Sequence, residues 1–339
     1  MPVKKILLVG NFSKNPGIYT YATSFFKALK KLNYLVECFN YKNYKFNTPV
    51  LGKSLLNFYF LRTVKNYNPD LILVIKGEKI SYRTLTKVKK INPESILLNF
   101  YPDNPFTFWN GNSNSDVLFS LPLYDSFLIW SHALIPVLYA AGAKKVQYFP
   151  FAFDSELFCQ KIILSEQDEQ VFQSDVCFVG SWDPDRQRWL EGLIQRIPGL
   201  NLAIWGNRWR ENLPQGSVLH SQLKGCAIYG IAMIKVFRRA KIVLNFIRKQ
   251  NMGAHNMRTI EVPASKAFLM TERTVDQAEM LFKEGEQIEC FASIDELARK
   301  IEVYLKNDDK RLKIIQAGYE KVQEYTLEKV LGEFFKKIS

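Results

Sequence analysis

The sequence predicts an α/β protein made of two doubly wound domains, and three observations carry that prediction. Short apolar runs alternate with helix-patterned stretches along nearly the whole chain, which is the pattern of parallel strands joined by crossover helices. The alternation comes in two series, separated by a polar, acidic stretch. The length of 339 residues exceeds what a single core usually organises.

In the first series, residues 4–10 read as an apolar strand, 18–32 as a helix and 35–41 as a second strand. Further strand-like runs fall at 71–77, 95–101 and 127–131, with helices expected near 55–66, 81–91 and 133–141. Several strands end in small or polar residues, among them Gly10-Asn11 and Tyr101-Pro102-Asp103. Ligands of open α/β sheets bind outside those carboxyl ends. The second series gives strands at 176–180, 200–206, 241–246, 267–271 and 287–291, then helices near 293–306, 308–324 and from 326. The expected domains are 1–150 and 175–339, joined by a linker at 151–174.

The 47% apolar and 23% charged composition is that of an ordinary soluble globular protein. Met1-Pro-Val-Lys-Lys opens directly into a strand, so no secretory signal is read there. The uncharged stretch 127–143 has 17 residues and falls short of a bilayer span. Five scattered cysteines form no Cys-x-x-Cys pair. Neither a disulfide framework nor a zinc site is expected, and a reducing cytoplasm fits. Charge is less ordinary: through Phe153 there are 19 Lys and Arg against 7 Asp and Glu, so +12 of the total +13 belongs to the first half. That asymmetry points to an anionic partner on one domain. No nucleic-acid motif accompanies it, so nucleic acid is not expected.

The most informative stretch runs from Asn256 to Glu272. A helix begun on Asn256 would aim free N–H groups and its positive dipole end at a ligand. Arg258 supplies a planar charged fork suited to phosphate. Glu261, one turn on, shares its face and can accept hydrogen bonds from sugar hydroxyls. Phosphate at one end and a hydroxylated ring at the other outline a nucleotide; a surface Arg–Glu ion pair explains the same letters.

Glu261, Ala264 and the apolar run ending in Thr271 resemble the nucleotide-sugar motif of GT-B glycosyltransferases, which have two Rossmann-like doubly wound domains facing a cleft. The longer string Asn-x-Arg-x-x-Glu-Val-Pro-Ala, followed by Ala-Phe-Leu-x-Thr-Glu-Arg, resembles the spore-maturation (Cge-type) glycosyltransferase-like family, most strongly over 176–324. Two departures stand out. Gly253 replaces the first of two glutamates eight apart. Lys266 replaces a Gly, so it must turn left-handed or reshape the turn.

The resemblance implies a transferase moving a hexose or related sugar from a nucleotide-sugar, its substrate, to a hydroxyl acceptor, with no cofactor. Donor-side candidates are Gly180, Ser181 and Arg186 after one strand, Gly206 and Asn207 after the next, Asn245 at a third strand end, and then His255, Asn256, Arg258 and Glu261. Asp183-Pro184-Asp185 superficially matches the Asp-x-Asp metal motif of the other large transferase fold. Asp183 as N-cap with Pro184 at the first helical position explains it without metal, and no metal is expected. On the acceptor side stand the loop from Asn11 to Gly17, which lacks a full Gly-x-Gly-x-x-Gly, and Asp103. Asp103 is the first candidate base for an acceptor hydroxyl, or simply the cap of a Pro turn; His132 is its rival. The charge suits an anionic glycan or lipid-linked acceptor, and a cytoplasmic protein held peripherally at an anionic inner membrane face. A sugar-nucleotide epimerase and a catalytically inactive GT-B-like binding protein are the alternatives.

Overall fold

The computed structural model describes residues 3–13, 20–44, 49–108 and 113–338. The chain forms two compact units. Unit 1 comprises Met1–Asp154, Gln250–Met252 and Tyr325–Ser339; unit 2 comprises Ser155–Lys249 and Gly253–Glu324.

Unit 1 holds β1 (Lys5–Gly10), β2 (Leu35–Asn40), β3 (Leu71–Ile75), β4 (Ile96–Tyr101), β5 (Ser126–Ile129) and β6 (Val146–Tyr148). They form one sheet in the order β2-β1-β3-β4-β5-β6, with every pairing parallel. Ile6–Val9 and Leu71–Val74 are almost wholly buried, as strands covered on both faces must be. The helix Tyr82–Ile91 starts where Ser81 accepts the Thr84 N–H at 3.2 Å. It buries Leu85 and Val88 and carries Lys89 and Lys90 in its last turn, where cations complement the dipole. The stretch 127–143 becomes β5, a turn and the helix Leu134–Ala140. No described helix is long and apolar enough to cross a membrane.

The last helix, Leu327–Lys336, packs on unit 1. Its Phe335 and Phe334 rings lie 5.0 Å from Tyr34 and 5.9 Å from Phe149, and Glu328 meets Lys31 at 3.0 Å. Backbone bonds from Phe153 N to Tyr325 O and from Leu327 N to Phe153 O, each 3.0 Å, fix the chain's return.

Unit 2 holds β7 (Ser174–Val179), β8 (Leu202–Trp205), β9 (Leu223–Gly225), β10 (Ala240–Asn245), β11 (Leu269–Glu272) and β12 (Glu289–Phe291). Their order is β12-β11-β10-β7-β8-β9, again all parallel. Counted within the unit this is 3-2-1-4-5-6, the Rossmann order. Phe178, Phe246, Trp189 and Phe291 pack ring on ring, with centroids 5.2–6.0 Å apart, and tie three strands to the helix Pro184–Arg196. The acidic stretch before β7 forms the helix Glu166–Phe172, whose Ser165 and Asp168 make a capping box. Asp168 meets Lys235 at 2.8 Å and Glu169 pairs with Arg239. The acidity of that stretch therefore matches the basic face of the helix Gly230–Arg239.

Candidate functional site

The chain leaves β7 for β8 on one side and leaves β10 for β11 on the other. The carboxyl ends of β7 and β10 are thus the switch point of the unit 2 sheet, where connecting helices diverge and leave a crevice.

Asn256 caps the helix Met257–Ala264, accepting the Arg258 N–H at 2.9 Å. Its side-chain amide donates to Asn245 Oδ1 at 2.9 Å. Asn245 in turn donates to Thr271 Oγ1 at 3.0 Å. Thr259 and Thr271 both donate to Gln277 Oε1, at 2.7 and 2.9 Å, and Gln277 donates to the Glu272 carbonyl at 2.8 Å. This buried chain of bonds locks the ends of β10 and β11 to the start of the helix. Asn245 and Asn256 are spent on that scaffold. His255 is fully buried, with Nδ1 3.6 Å from Asp276 Oδ2, and it too supports the helix.

Arg258 and Glu261 share one helix face and form an ion pair. Arg258 Nε also donates to the Val179 carbonyl at the end of β7, at 3.3 Å, and its guanidinium lies 5.7 Å from the Phe237 ring centre. The fork is therefore held at the switch point from both sides.

Beyond β7 the backbone turns tightly. Gly180 N donates to Trp205 O at 2.9 Å, and Gly180 O accepts the Trp209 indole N–H at 2.8 Å. A Cβ on Gly206 would lie 1.9 Å from that same Gly180 oxygen, so only glycine fits. Asn207 closes the turn: its carbonyl accepts the Trp182 N–H at 2.9 Å and its side chain the Ala227 N–H at 3.0 Å. Its side-chain oxygen is thus already bonded within this turn.

A small cleft of about 120 Å³ adjoins this turn, lined by Arg186, Arg248, Lys249, Glu272, Trp189 and Phe246 among others. Arg186 donates to the Ser181 carbonyl at 2.9 Å and lies over the Phe178 ring. Burial, then the nearby Arg248 charge, pull its pKa down to about 9. It stays a cation at neutral pH. Burial raises the Glu272 carboxyl, which accepts the Ile247 N–H at 2.9 Å. Arg186 Nε is buried without a hydrogen-bond acceptor among the described residues, whereas Arg248 Nε faces the Asp183 carboxylate at 3.5 Å. Four cations, Arg186, Arg188, Arg248 and Lys249, line the cleft against three carboxylates, Asp183, Asp185 and Glu272, and the unsatisfied Arg186 donor favours an anion there. Arg248, Lys249 and Glu272 were not anticipated; the basic pair two residues past the third strand end is the signal that marks them.

Asp183 accepts the Asp185 N–H at 3.1 Å as the N-cap of Pro184–Arg196. Asp183 also sits 3.5 Å from Arg248, and Asp185 lies 3.0 Å from Arg188 and 3.3 Å from Lys249. Lys266 takes the left-handed alternative, φ +58°, with its ammonium 4.5 Å from the Tyr319 ring centre. Gly253 is also left-handed, at φ +73°.

In unit 1, Asp103 follows β4 and meets Lys76 Nζ at 2.9 Å. His132 follows β5 and stacks on Tyr148, with ring centres 3.7 Å apart. Asn11 is exposed after β1, and Gly17 lies outside the described residues.

The sequence family described as "Glycosyl transferase-like" matches residues 186–336. A search of curated proteins finds no match. Among solved structures, HepE of Anabaena in complex with UDP is similar at 16% identity, covering 98% of this chain and 99% of that one, with a TM-score of 0.65. Sucrose-phosphate synthase of Thermosynechococcus elongatus is similar at 14% identity, covering 99% of both chains, with a TM-score of 0.68. Trehalose 6-phosphate synthase of Burkholderia multivorans is similar at 11% identity, covering 100% and 97%, with a TM-score of 0.63. The fold, with its two parallel six-stranded sheets, is GT-B.

Proposed function

We propose that the protein is a glycosyltransferase moving a sugar, a hexose or a near relative, from a nucleotide-sugar held on unit 2 to a hydroxyl acceptor. The observation that carries this reading is the Arg258–Glu261 pair, fixed at the switch point of a Rossmann-order sheet. As the bond between sugar and phosphate breaks, the leaving nucleoside diphosphate gains charge. Arg258, Arg186 and Arg248 are the cations that would stabilise it, in a site already organised before the reaction. Glu261 would exchange part of its bond to Arg258 for ribose hydroxyls. The family match over the segment that holds Arg258 and Glu261 supports this assignment, and the string 256–264 supports the spore-maturation type within it. HepE in complex with UDP and with UDP-glucose makes UDP-sugars the first donors to try.

Asp103 is the first choice for the base that takes the acceptor proton, positioned by Lys76, and His132 the second. The +12 of the first half suits an anionic acceptor, such as an acidic glycan or a lipid-linked phosphate in cell-surface glycan synthesis, met on the cytoplasmic side. The left-handed Gly253, where a glutamate stands in the resembling transferases, favours a binding protein without turnover as the second reading.

Thermal shift against nucleoside diphosphates and their sugar conjugates tests the donor site. At a hundredfold excess over its Kd, the right nucleotide should stabilise the protein by about 2.7 kcal/mol. No shift with any nucleotide would remove the reading, whereas binding without sugar transfer or epimerisation would favour the second. Turnover is expected to survive a chelator, and Asp183→Ala to lower stability by about 1 kcal/mol through its lost cap. Activity abolished by EDTA and restored by manganese would reassign Asp183 and Asp185 to a metal.

A further inference from the structure

In unit 1 the helices Pro49–Tyr67 and Tyr82–Ile91 leave an open groove of about 570 Å³, lined by Ser54, Phe58, Leu61, Arg83, Thr84 and Lys87 among others. Its shape is fixed in advance, because Asn57 spans both helices. The Asn57 side chain accepts the Ser81 N–H at 2.9 Å and donates to the Lys79 carbonyl at 3.2 Å. Phe58 is 59% exposed, and Leu51, two helical turns earlier on the same face, is 61% exposed. Lys53 at the groove's edge is paired with Asp116 at 2.5 Å. Arg83 and Lys87 have no ion-pair partner among the described residues.

We infer that this groove and its rim are a docking surface for an anionic lipid bilayer. Two chemistries coincide here, and a bilayer satisfies both. Exposed Phe58 and Leu51 gain by entering the boundary between headgroups and acyl chains. Arg83 and Lys87 keep their charged heads level with lipid phosphates while their stems lie along apolar surface. A polyanion such as nucleic acid would meet the cations but leave Phe58 and Leu51 in water. The half of the chain carrying the groove also holds +12 of the net charge, which adds long-range attraction to an anionic leaflet. This inference does not depend on the donor chemistry.

Co-sedimentation of the full chain, without nucleotide, tests it on vesicles of phosphatidylcholine alone and of phosphatidylcholine mixed with phosphatidylglycerol. Binding is expected only to the mixed vesicles and is expected to weaken at high salt. Arg83→Ser with Lys87→Ser should reduce the partition coefficient about thirtyfold, at roughly fivefold per charge. Phe58→Ser, at an exposed position and with its fold checked by circular dichroism, should reduce it about tenfold. Lys144→Ser with Lys145→Ser removes the same charge elsewhere in unit 1 and should change it less than threefold. Three results would overturn the inference: equal binding to both vesicle types, an equal loss for the two double variants, or sedimentation without vesicles, which would instead make the groove a contact between copies of this chain.

Discussion

Arg258→Ala is expected to lower kcat for sugar transfer by roughly a hundredfold to a thousandfold, the usual effect of deleting one fixed donor to a developing oxyanion. The Arg258 fork is held on Glu261, on the Val179 carbonyl and over Phe237, so it cannot be replaced by a nearby mobile cation. Arg258→Lys should recover only part of the loss, because an ammonium keeps the charge without the planar fork. Glu261→Ala removes the ribose partner and leaves Arg258 without its carboxylate. Nucleotide affinity should fall by about 1.5–3 kcal/mol, the range for hydrogen bonds to charged groups. Arg258 is partly exposed but Glu261 is only 9% exposed, so circular dichroism has to show each Ala variant folded before its affinity is read. Calorimetric titration with the nucleotide found by thermal shift is the direct check. Wild-type affinity in both Ala variants would remove the donor site from this helix.

Gly206→Ala is the second change expected to have a large effect, and it acts through the backbone. The added Cβ would stand 1.9 Å from the Gly180 oxygen and 2.6 Å from its carbon. Both are main-chain atoms, so relief requires β7 and β8 to part at their carboxyl ends. That would strain the bond from Trp209 to Gly180 and shift Val179, which holds Arg258. Overpacking of this kind destabilises by about 1–3 kcal/mol, and here donor affinity should fall with it. Gly216→Ala is the control, since nothing lies within 4 Å of a Cβ there. Urea denaturation of the two variants should separate them clearly; equal midpoints would show that the turn gives way more easily than its geometry suggests.

Local patterns along the chain point to the class of fold and the neighbourhood of the site. Short apolar runs bounded by turns and alternating with helix-patterned stretches made ten of the strands legible; β1, β3 and β4 show it best, with five or six residues almost wholly buried. β6 and β9, three residues each at a sheet edge, were not; β12 is as short and also at an edge, but it lies within the longer strand-like run 287–291. Asn256 and Asp183 were legible as caps because capping is local, settled within three residues of chain. Arg258 and Glu261 were legible as a pair for the same reason.

Which polar residues remain available to a ligand depends on contacts between distant segments. Asn245 and Asn256 look like site residues in the sequence, but each finds a partner supplied by a distant segment and becomes scaffold; His255 is buried beside Asp276. Arg258 reaches Val179, far back in the chain, because parallel pairing of β7 with β10 brings their ends together. Arg186 and Arg248 crowd into one cleft for the same reason. The final helix joins unit 1 through Phe334, Phe335 and Glu328, contacts that no spacing within the helix announces. Local patterns fix elements because they depend on neighbouring residues. Availability for binding depends on what the rest of the chain places against each side chain, and only the assembled sheet settles that.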